Sequence, residues 1–284
     1  GVRFEHSRMT LESNLSDYER RTAKRHYEGN DFFPSLNTVW KVNERHQLRL
    51  SYGRSINRPE FREISTSVFY DFDLASNVQG NTELKACHVD NFDLRYEWYP
   101  SRGDQITVAG FYKSFDAPIE WSYTVTGGTD VVYSFVNAKR AYSLGIEVDI
   151  RKNLAFMGMK DFTLVFNGSA IKSRVNFQEG TRQKDRPMQG QSPYLVNLGL
   201  FYAHDIWNAS LQYNRIGKRL IGVGRNLGST GDQTVNIPDS YEMPRNSLDL
   251  SASVALGRFE LKVGARDILA EKDYLAKKSV WIFG

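Results

Sequence analysis

Cysteine is all but missing from this chain: Cys87 stands alone among 284 residues. A disulfide framework and a thiolate metal cluster are both excluded, since each needs more than one. No apolar run approaches the roughly 18 uninterrupted residues that a membrane-spanning helix requires. Charge of one sign is nowhere concentrated. The 37 basic and 33 acidic residues are intermixed, for a net +4, which leaves no tract of the kind that binds nucleic acid. The chain also opens on Gly1, with neither Met nor a secretory leader. It reads as a fragment whose targeting segment lies upstream.

What is present fits strands. The residues are 40% hydrophobic and 25% charged, with mean hydropathy -0.49. Such values suit a soluble protein and equally an outer-membrane barrel, because strands of about 10 residues with one apolar face are enough to span. Aromatics reach 13%, with 15 Tyr and 17 Phe. They suit interfacial girdles and would also suit a carbohydrate-binding surface.

The hydrophobic pattern has period two, as a strand with two unlike faces demands. Leu248, Leu250, Ala252, Val254 and Leu256 alternate with Ser247, Asp249, Ser251 and Ser253. After the tight turn Gly257–Arg258, Phe259, Leu261, Val263 and Ala265 alternate with Glu260, Lys262, Gly264 and Arg266. The same holds for Phe92–Tyr99, Leu144–Arg151 and Tyr194–Tyr202. Further strands are predicted over Val2–Glu12, Phe33–Lys41, Gln47–Ile56, Gln105–Phe115, Phe162–Arg174 and Asn208–Gly217. That makes about eleven antiparallel neighbours.

Their connections sort by parity. Val42–His46, Pro100–Asp104, Asn153–Lys160, Ala203–Trp207 and Gly257–Arg258 are short. Between them lie the long, polar Ser13–Asp31, Asn57–Cys87, Asp116–Asp130, Val175–Ser192 and Lys218–Met243. A transmembrane barrel has short turns on one side and long loops on the other. A two-sheet sandwich also alternates apolar and polar positions, but it has no reason to sort its loops. That sorting, with aromatics gathered at strand ends (Trp98, Tyr99, Tyr194, Tyr202), favours the barrel.

Candidate chemical groups mostly read as architecture. Arg54 to Arg58 with Pro59 suits a strand leaving for a loop, since proline fixes an extended conformation and supplies no donor. Asp71 and Asp73 supply too few oxygens for calcium, which takes six to eight, so loop pinning is expected. His6, His26, His46, His88 and His204 are scattered without the spacing of a zinc site. His88 with Ser65 or Ser67 would be needed for a hydrolase, and nothing in the spacing supports it. Gly222, Gly224, Gly228 and Gly231 lack the strand-to-helix context of a phosphate cradle and read as a mobile loop. Asp93, Arg95, Glu97, Glu147, Asp149, Arg151, Asp249, Glu260, Lys262 and Arg266 share the polar face. No catalytic, cofactor or metal residue is expected, and the substrate-binding residues are not fixed.

Several stretches resemble one family. Tyr52-Gly-Arg-Ser-Ile-Asn-Arg-Pro-Glu-Phe61, Phe69-Tyr-Asp-Phe72 and Gly80-Asn-Thr-Glu-Leu-Lys85 are similar to the barrel of TonB-dependent outer-membrane receptors of the Bacteroidetes type. Asn91-Phe-Asp-Leu-Arg-Tyr-Glu97, Phe111-Tyr-Lys113, Pro118-Ile-Glu120, Asn137 and Gly145-Ile-Glu-Val148 follow in order. Gln189-Gly-Gln-Ser-Pro-Tyr194, Tyr213-Asn214, Pro244-Arg245 and Asp267-Ile-Leu269 complete the series.

The resemblance implies an all-β, antiparallel transmembrane barrel segment, about 11 strands of a barrel of about 22 closed around a plug. Residues 1–284 would be a single partial domain, without plug or closing strand, stopping at Trp281-Ile-Phe-Gly284. Two bare sheet edges would follow, so this segment alone is not expected to form a stable barrel. The implied function is active uptake of a large nutrient (siderophore, haem, oligosaccharide or peptide) across a bacterial outer membrane. The implied partners are membrane lipid, the plug, the TonB complex through the missing N-terminal part, and a ligand at the outer loops. No cofactor and no nucleic acid are expected. The alternatives are a plugless outer-membrane channel or barrel enzyme, and a soluble glycan-binding sandwich.

Overall fold

The computed structural model describes residues 1–13, 23–72, 76–125, 131–179, 183–230, 233–271 and 275–277. Asp73, Gly231 and Trp281–Gly284 lie outside the described residues. Eleven strands form one antiparallel sheet: β1 Val2–Ser13, β2 Ala23–Lys41, β3 His46–Asn57, β4 Cys87–Trp98, β5 Gln105–Asp116, β6 Arg140–Leu154, β7 Met159–Asn176, β8 Tyr194–His204, β9 Trp207–Ile216, β10 Arg245–Leu256 and β11 Phe259–Ala265. Each pairs with its neighbours in this order. Among the described residues no helix is long and apolar enough to cross a membrane.

The expected strands are all present. β2 is the main departure, beginning at Ala23 rather than Phe33. It stays paired with β1 from Ser13↔Ala23 down to Val2↔Pro34. Over residues 23–32 only Ala23, Tyr27 and Phe32 interrupt polar residues and glycine, so no apolar period marks them. Backbone pairing and side-chain contacts such as His6 to Asn30 at 2.9 Å hold them instead.

Register shows why the two faces differ. One row of directly opposed residues crosses nine strands: Lys41, Gln47, Glu97, Thr107, Asp149, Asn167, Asn197, Asn214 and Ser247. All are polar. Moving one residue along each strand from β2 to β8 gives Trp40, Leu48, Tyr96, Val108, Val148, Gly168 and Val196, with no polar side chain except the Tyr96 hydroxyl; on β9 and β10 the row runs on into Arg215 and Asn246. Because the side-chain period is two, one face of the sheet is wet and the other apolar.

Among the described residues no second layer covers that apolar face. Leu50, Leu94, Ile146, Leu250 and Leu261 are all exposed, a continuous apolar surface of the kind that marks contact with another phase. The two clusters of buried apolar side chains lie instead at the end of the sheet that carries the long connections. There Ile64, Val78, Leu84 and Phe135 form one core, joined by Met9, Leu11 and Tyr27 from the ends of β1 and β2. Ala138, Ala141, Val175 and Phe177 form a second.

The long connections are therefore folded. Val68–Asp71, Ser76–Gln79, Val131–Asn137 and Ile119–Val125 make a four-stranded sheet drawn from two different connections, with one parallel pairing between Ser76–Gln79 and Val131–Asn137. The segment around Gly222 to Gly228, expected to be a loop, instead carries paired strands. Arg219–Gly222 pairs with Ser240–Glu242, and Arg225–Thr230 pairs with Gln233–Ile237.

Candidate functional site

Two surfaces are open to chemistry: the folded layer of long connections and the polar face of the sheet. Several residues that carry the resemblance act as pins in the first. Gly80 passes so close to the turn at Phe61–Ile64 that an added Cβ would lie 2.4 Å from the Ser65 carbonyl oxygen and 2.7 Å from that of Arg62. Only glycine fits there. Asn81 donates its backbone N–H to the Glu63 carbonyl at 2.6 Å and its amide to the Phe135 carbonyl at 2.9 Å. Asn137 donates to the carbonyls of Lys85 (2.9 Å) and Ala117 (2.8 Å) and accepts the Lys85 N–H at 2.8 Å.

An ion pair ties two further connections together. Arg186 donates through Nη2 to Glu120 at 2.9 Å, and the two side chains are only 6% and 10% exposed. The same nitrogen reaches the Trp121 carbonyl at 3.3 Å, and the guanidinium lies over the Phe177 ring at 4.6 Å. Burial pushes the Glu120 carboxyl above its usual range against the pull of Arg186. Next to it, Asp185 accepts the Phe177 backbone N–H, the Arg174 guanidinium and the Asn176 amide, which together hold its carboxyl below the usual range.

A concavity of about 490 Å³ opens on this layer, lined by Arg62, Ser65, Ser67, Phe69, Tyr70 and Asp71. Phe72, at 86% exposure, stands at its edge, and its ring meets Tyr70 edge-on at 5.2 Å. Charge there is balanced by Arg62 and Asp71, and the rest is aromatic and hydroxyl. Such a surface is suited to stacking and hydrogen bonding.

On the polar face, neighbouring side chains of the long row are linked. Asn214 donates to Asn197 at 2.5 Å, Asn197 to Asn167 at 3.0 Å, and Asn167 to the Asp149 carboxylate at 2.5 Å. Glu97 forms ion pairs with Arg49 Nε at 2.8 Å and Arg95 Nε at 3.0 Å and accepts the Tyr99 hydroxyl at 2.7 Å. The face is thus cross-linked by polar contacts and offers hydrogen-bonding groups to whatever fills the space beside it.

The residues weighed in the sequence fall as follows. Arg58 leaves β3 and bonds Asp31 at 2.9 Å and Glu5 at 3.1 Å, an anchor within the chain. His88 bonds Asp31 at 2.9 Å, whereas the Ser65 hydroxyl accepts the Ser67 N–H at 3.2 Å. Among the described residues no hydrogen bond joins that histidine to either serine. The other histidines sit apart, on Asn30, Thr10, Tyr96 and Asp161. Among the described residues no three His, Cys, Asp or Glu side chains could hold a metal ion. Sequence reasoning missed the Glu120–Arg186 pair, because its members are 66 residues apart and no spacing rule connects them.

Residues 1–266 match the model of the family described as TonB dependent receptor-like, beta-barrel. No curated protein matches the sequence. Solved structures do. A mutant of the ferric enterobactin receptor of Pseudomonas aeruginosa is similar over 87% of this chain at 16% identity, with a TM-score of 0.59. The siderophore receptor PirA of the same organism is similar over 88% at 15% identity and 0.61, and the copper transporter OprC over 95% at 13% identity and 0.64. The chain spans 36%, 41% and 39% of those chains, respectively. Identities this low show the fold alone.

Proposed function

Since the chain belongs to the TonB-dependent receptor-like β-barrel family, we propose that it supplies barrel wall and outer loops to an outer-membrane receptor for active uptake of a large nutrient. The family and the structural neighbours are receptors and transporters, not enzymes. The observation that carries the reading is the pair of offset rows from β2 to β8, seven polar residues against seven without a charged side chain, on a sheet whose apolar face no described residue covers. Lipid is the phase that such a face requires. The apolar face then meets the bilayer and the polar face lines a lumen.

Residues 1–284 act in this reading as one part of a larger barrel, with a plug from elsewhere in the protein filling the lumen. Substrate enters over the folded outer layer, and the concavity beside Phe72 gives it a first contact. Energy from the inner-membrane TonB complex then remodels the plug and opens a path. Siderophore, haem, oligosaccharide and peptide all remain within the class, because the concavity carries no net charge and no metal ligand set.

The test is to recover the native gene product from host outer membranes and run it on a gel with and without heating. A heat-modifiable band several tens of kilodaltons above the 32.6 kDa of this chain supports the receptor. A soluble species near 32.6 kDa would overturn it.

A further inference from the structure

The hollow beside Phe72 runs along the edge of a sheet, not over one of its faces. In an extended chain successive side chains point to opposite sides. Phe69 and Asp71 have one parity and Tyr70 and Phe72 the other, yet all four line the same concavity. A hollow over one face would meet only one set. Val68–Asp71 is the outermost strand of its four-stranded sheet and pairs on one side with Ser76–Gln79. Among the described residues no strand pairs with its other side.

The two edges of this sheet differ. At the far edge, on Ile119–Val125, Arg186 donates to the Trp121 carbonyl at 3.3 Å and is held there by Glu120 of the same strand. Val68-Phe-Tyr-Asp71 has none of the usual devices that blunt an edge: it contains no Lys and no Pro, and its pairing with Ser76–Gln79 runs without a bulge. The strand is also held in place. Phe69 packs against the core of Ile64, Val78, Leu84 and Phe135, while Val68 and Tyr70, at alternate positions, are exposed on the opposite side. Arg62 stands over the Phe69 ring at 5.4 Å in the wall of the concavity. Its guanidinium is exposed and enters no ion pair among the described residues.

We propose that the open edge of Val68–Asp71 receives an extended peptide, which pairs with it as a fifth strand and sets a carboxylate against Arg62. The backbone decides the class of ligand. A row of N–H and C=O groups at the strand repeat is matched by another extended backbone, whereas a sugar ring or a porphyrin carries no such ladder. Four paired residues span about 13 Å, so a short peptide is enough. Its alternate side chains fall beside Tyr70 as cross-strand neighbours, and those between them fall toward Phe69. The guanidinium of Arg62 suits a carboxylate, which it can hold through two N–H groups at once.

This inference rests on the reading of the long connections as the outer layer of a receptor, and it narrows the nutrient to a peptide. The test uses the whole receptor in detergent and a fluorescein-labelled pentapeptide of alternating valine and threonine with a free C-terminal carboxylate, followed by fluorescence anisotropy. Alternate N–H groups of an extended peptide point to the same side, so two further peptides carry N-methyl groups on the odd or on the even amides. One set abolishes binding and the other leaves it unchanged. Amidation of the C-terminus, or Arg62→Gln in the receptor, weakens binding about tenfold, and the two losses do not add. No binding, or an equal response to both methylated peptides, would overturn the site. So would a receptor dimer that buries this edge and excludes the peptide. Heat-modifiable migration is scored on the same sample. A folded outer-membrane barrel that ignores the peptides removes the peptide class and leaves the receptor reading standing.

Discussion

Arg186 and Glu120 form a nearly dry ion pair, 2.9 Å long, that ties together two outer connections lying 66 residues apart in sequence. Burying two charges is costly, and removing one partner strands the other. Arg186→Ala is expected to cost roughly 3–5 kcal/mol of local stability. Faster amide exchange across Ile119–Val125 would register it. The double change Glu120→Leu with Arg186→Met should cost less than Arg186→Ala alone, and additive losses would contradict the account.

The same pair gives a pH dependence. Burial raises the Glu120 carboxyl above its ordinary value of 4.5, so the folded layer binds that proton more tightly than the unfolded chain does. Stability from this group is full below 4.5 and declines as pH rises through the raised value. Amide exchange over Ile119–Val125 should therefore quicken as pH climbs out of the acid range, after correction for intrinsic exchange. Glu120→Gln should flatten the change.

At the other end of the sheet the sign reverses. Burial pushes Asp104 up, but the Asn153 backbone N–H at 2.8 Å, the Lys152 ammonium at 2.5 Å and the Ser101 hydroxyl outweigh it and hold the carboxyl at about 2, against an ordinary 3.8. The contribution is present above 3.8 and is lost as pH falls toward about 2. It amounts to about 2 kcal/mol. Thermal melts of wild type and Asp104→Asn should differ above the ordinary carboxylate range and converge in strong acid.

Neighbouring positions on β10 test which face meets lipid. Leu250→Arg should cost about 2–4 kcal/mol in a bilayer, whereas Asp249→Arg, on the wet face, should cost little. Folding titrations in lipid vesicles measure both, and equal tolerance would sink the assignment.

Gly80 supplies a steric test. With backbone atoms at 2.4 to 2.7 Å from the missing Cβ, Gly80→Ala forces the Phe61–Ile64 turn away. The expected cost is about 1–3 kcal/mol, confined to the outer layer. Protease nicking near Ser65, with the sheet left intact, is the sign to look for.

The sheet was legible in the sequence because lipid and water impose opposite demands on alternate residues, and eleven strands obeyed them. The five short turns were found for the same reason. The first half of β2 was not, since Ala23–Glu28 rises above the apolar band and its pairing is carried by backbone groups that leave no mark in side-chain pattern. The outer layer was also hidden. Ser76–Gln79 beside Val131–Asn137 is a pairing between distant segments, and a four-residue strand has no period to read. Of the candidate site, the polar-face residues were correctly grouped. The partners of Arg58, His88 and Arg186 needed three dimensions.

The amide chain from Asn214 through Asn197 and Asn167 to Asp149 has a consequence for assembly. Four strands meet there with directly opposed polar side chains, each amide aligned by the next and the last fixed by a carboxylate. If one strand slid by two residues, its faces would stay correct and the apolar pattern would raise no objection. The amides would nevertheless lose their partners. Proofreading of strand pairing during insertion thus falls to the wet wall, which senses the error that the oily one tolerates.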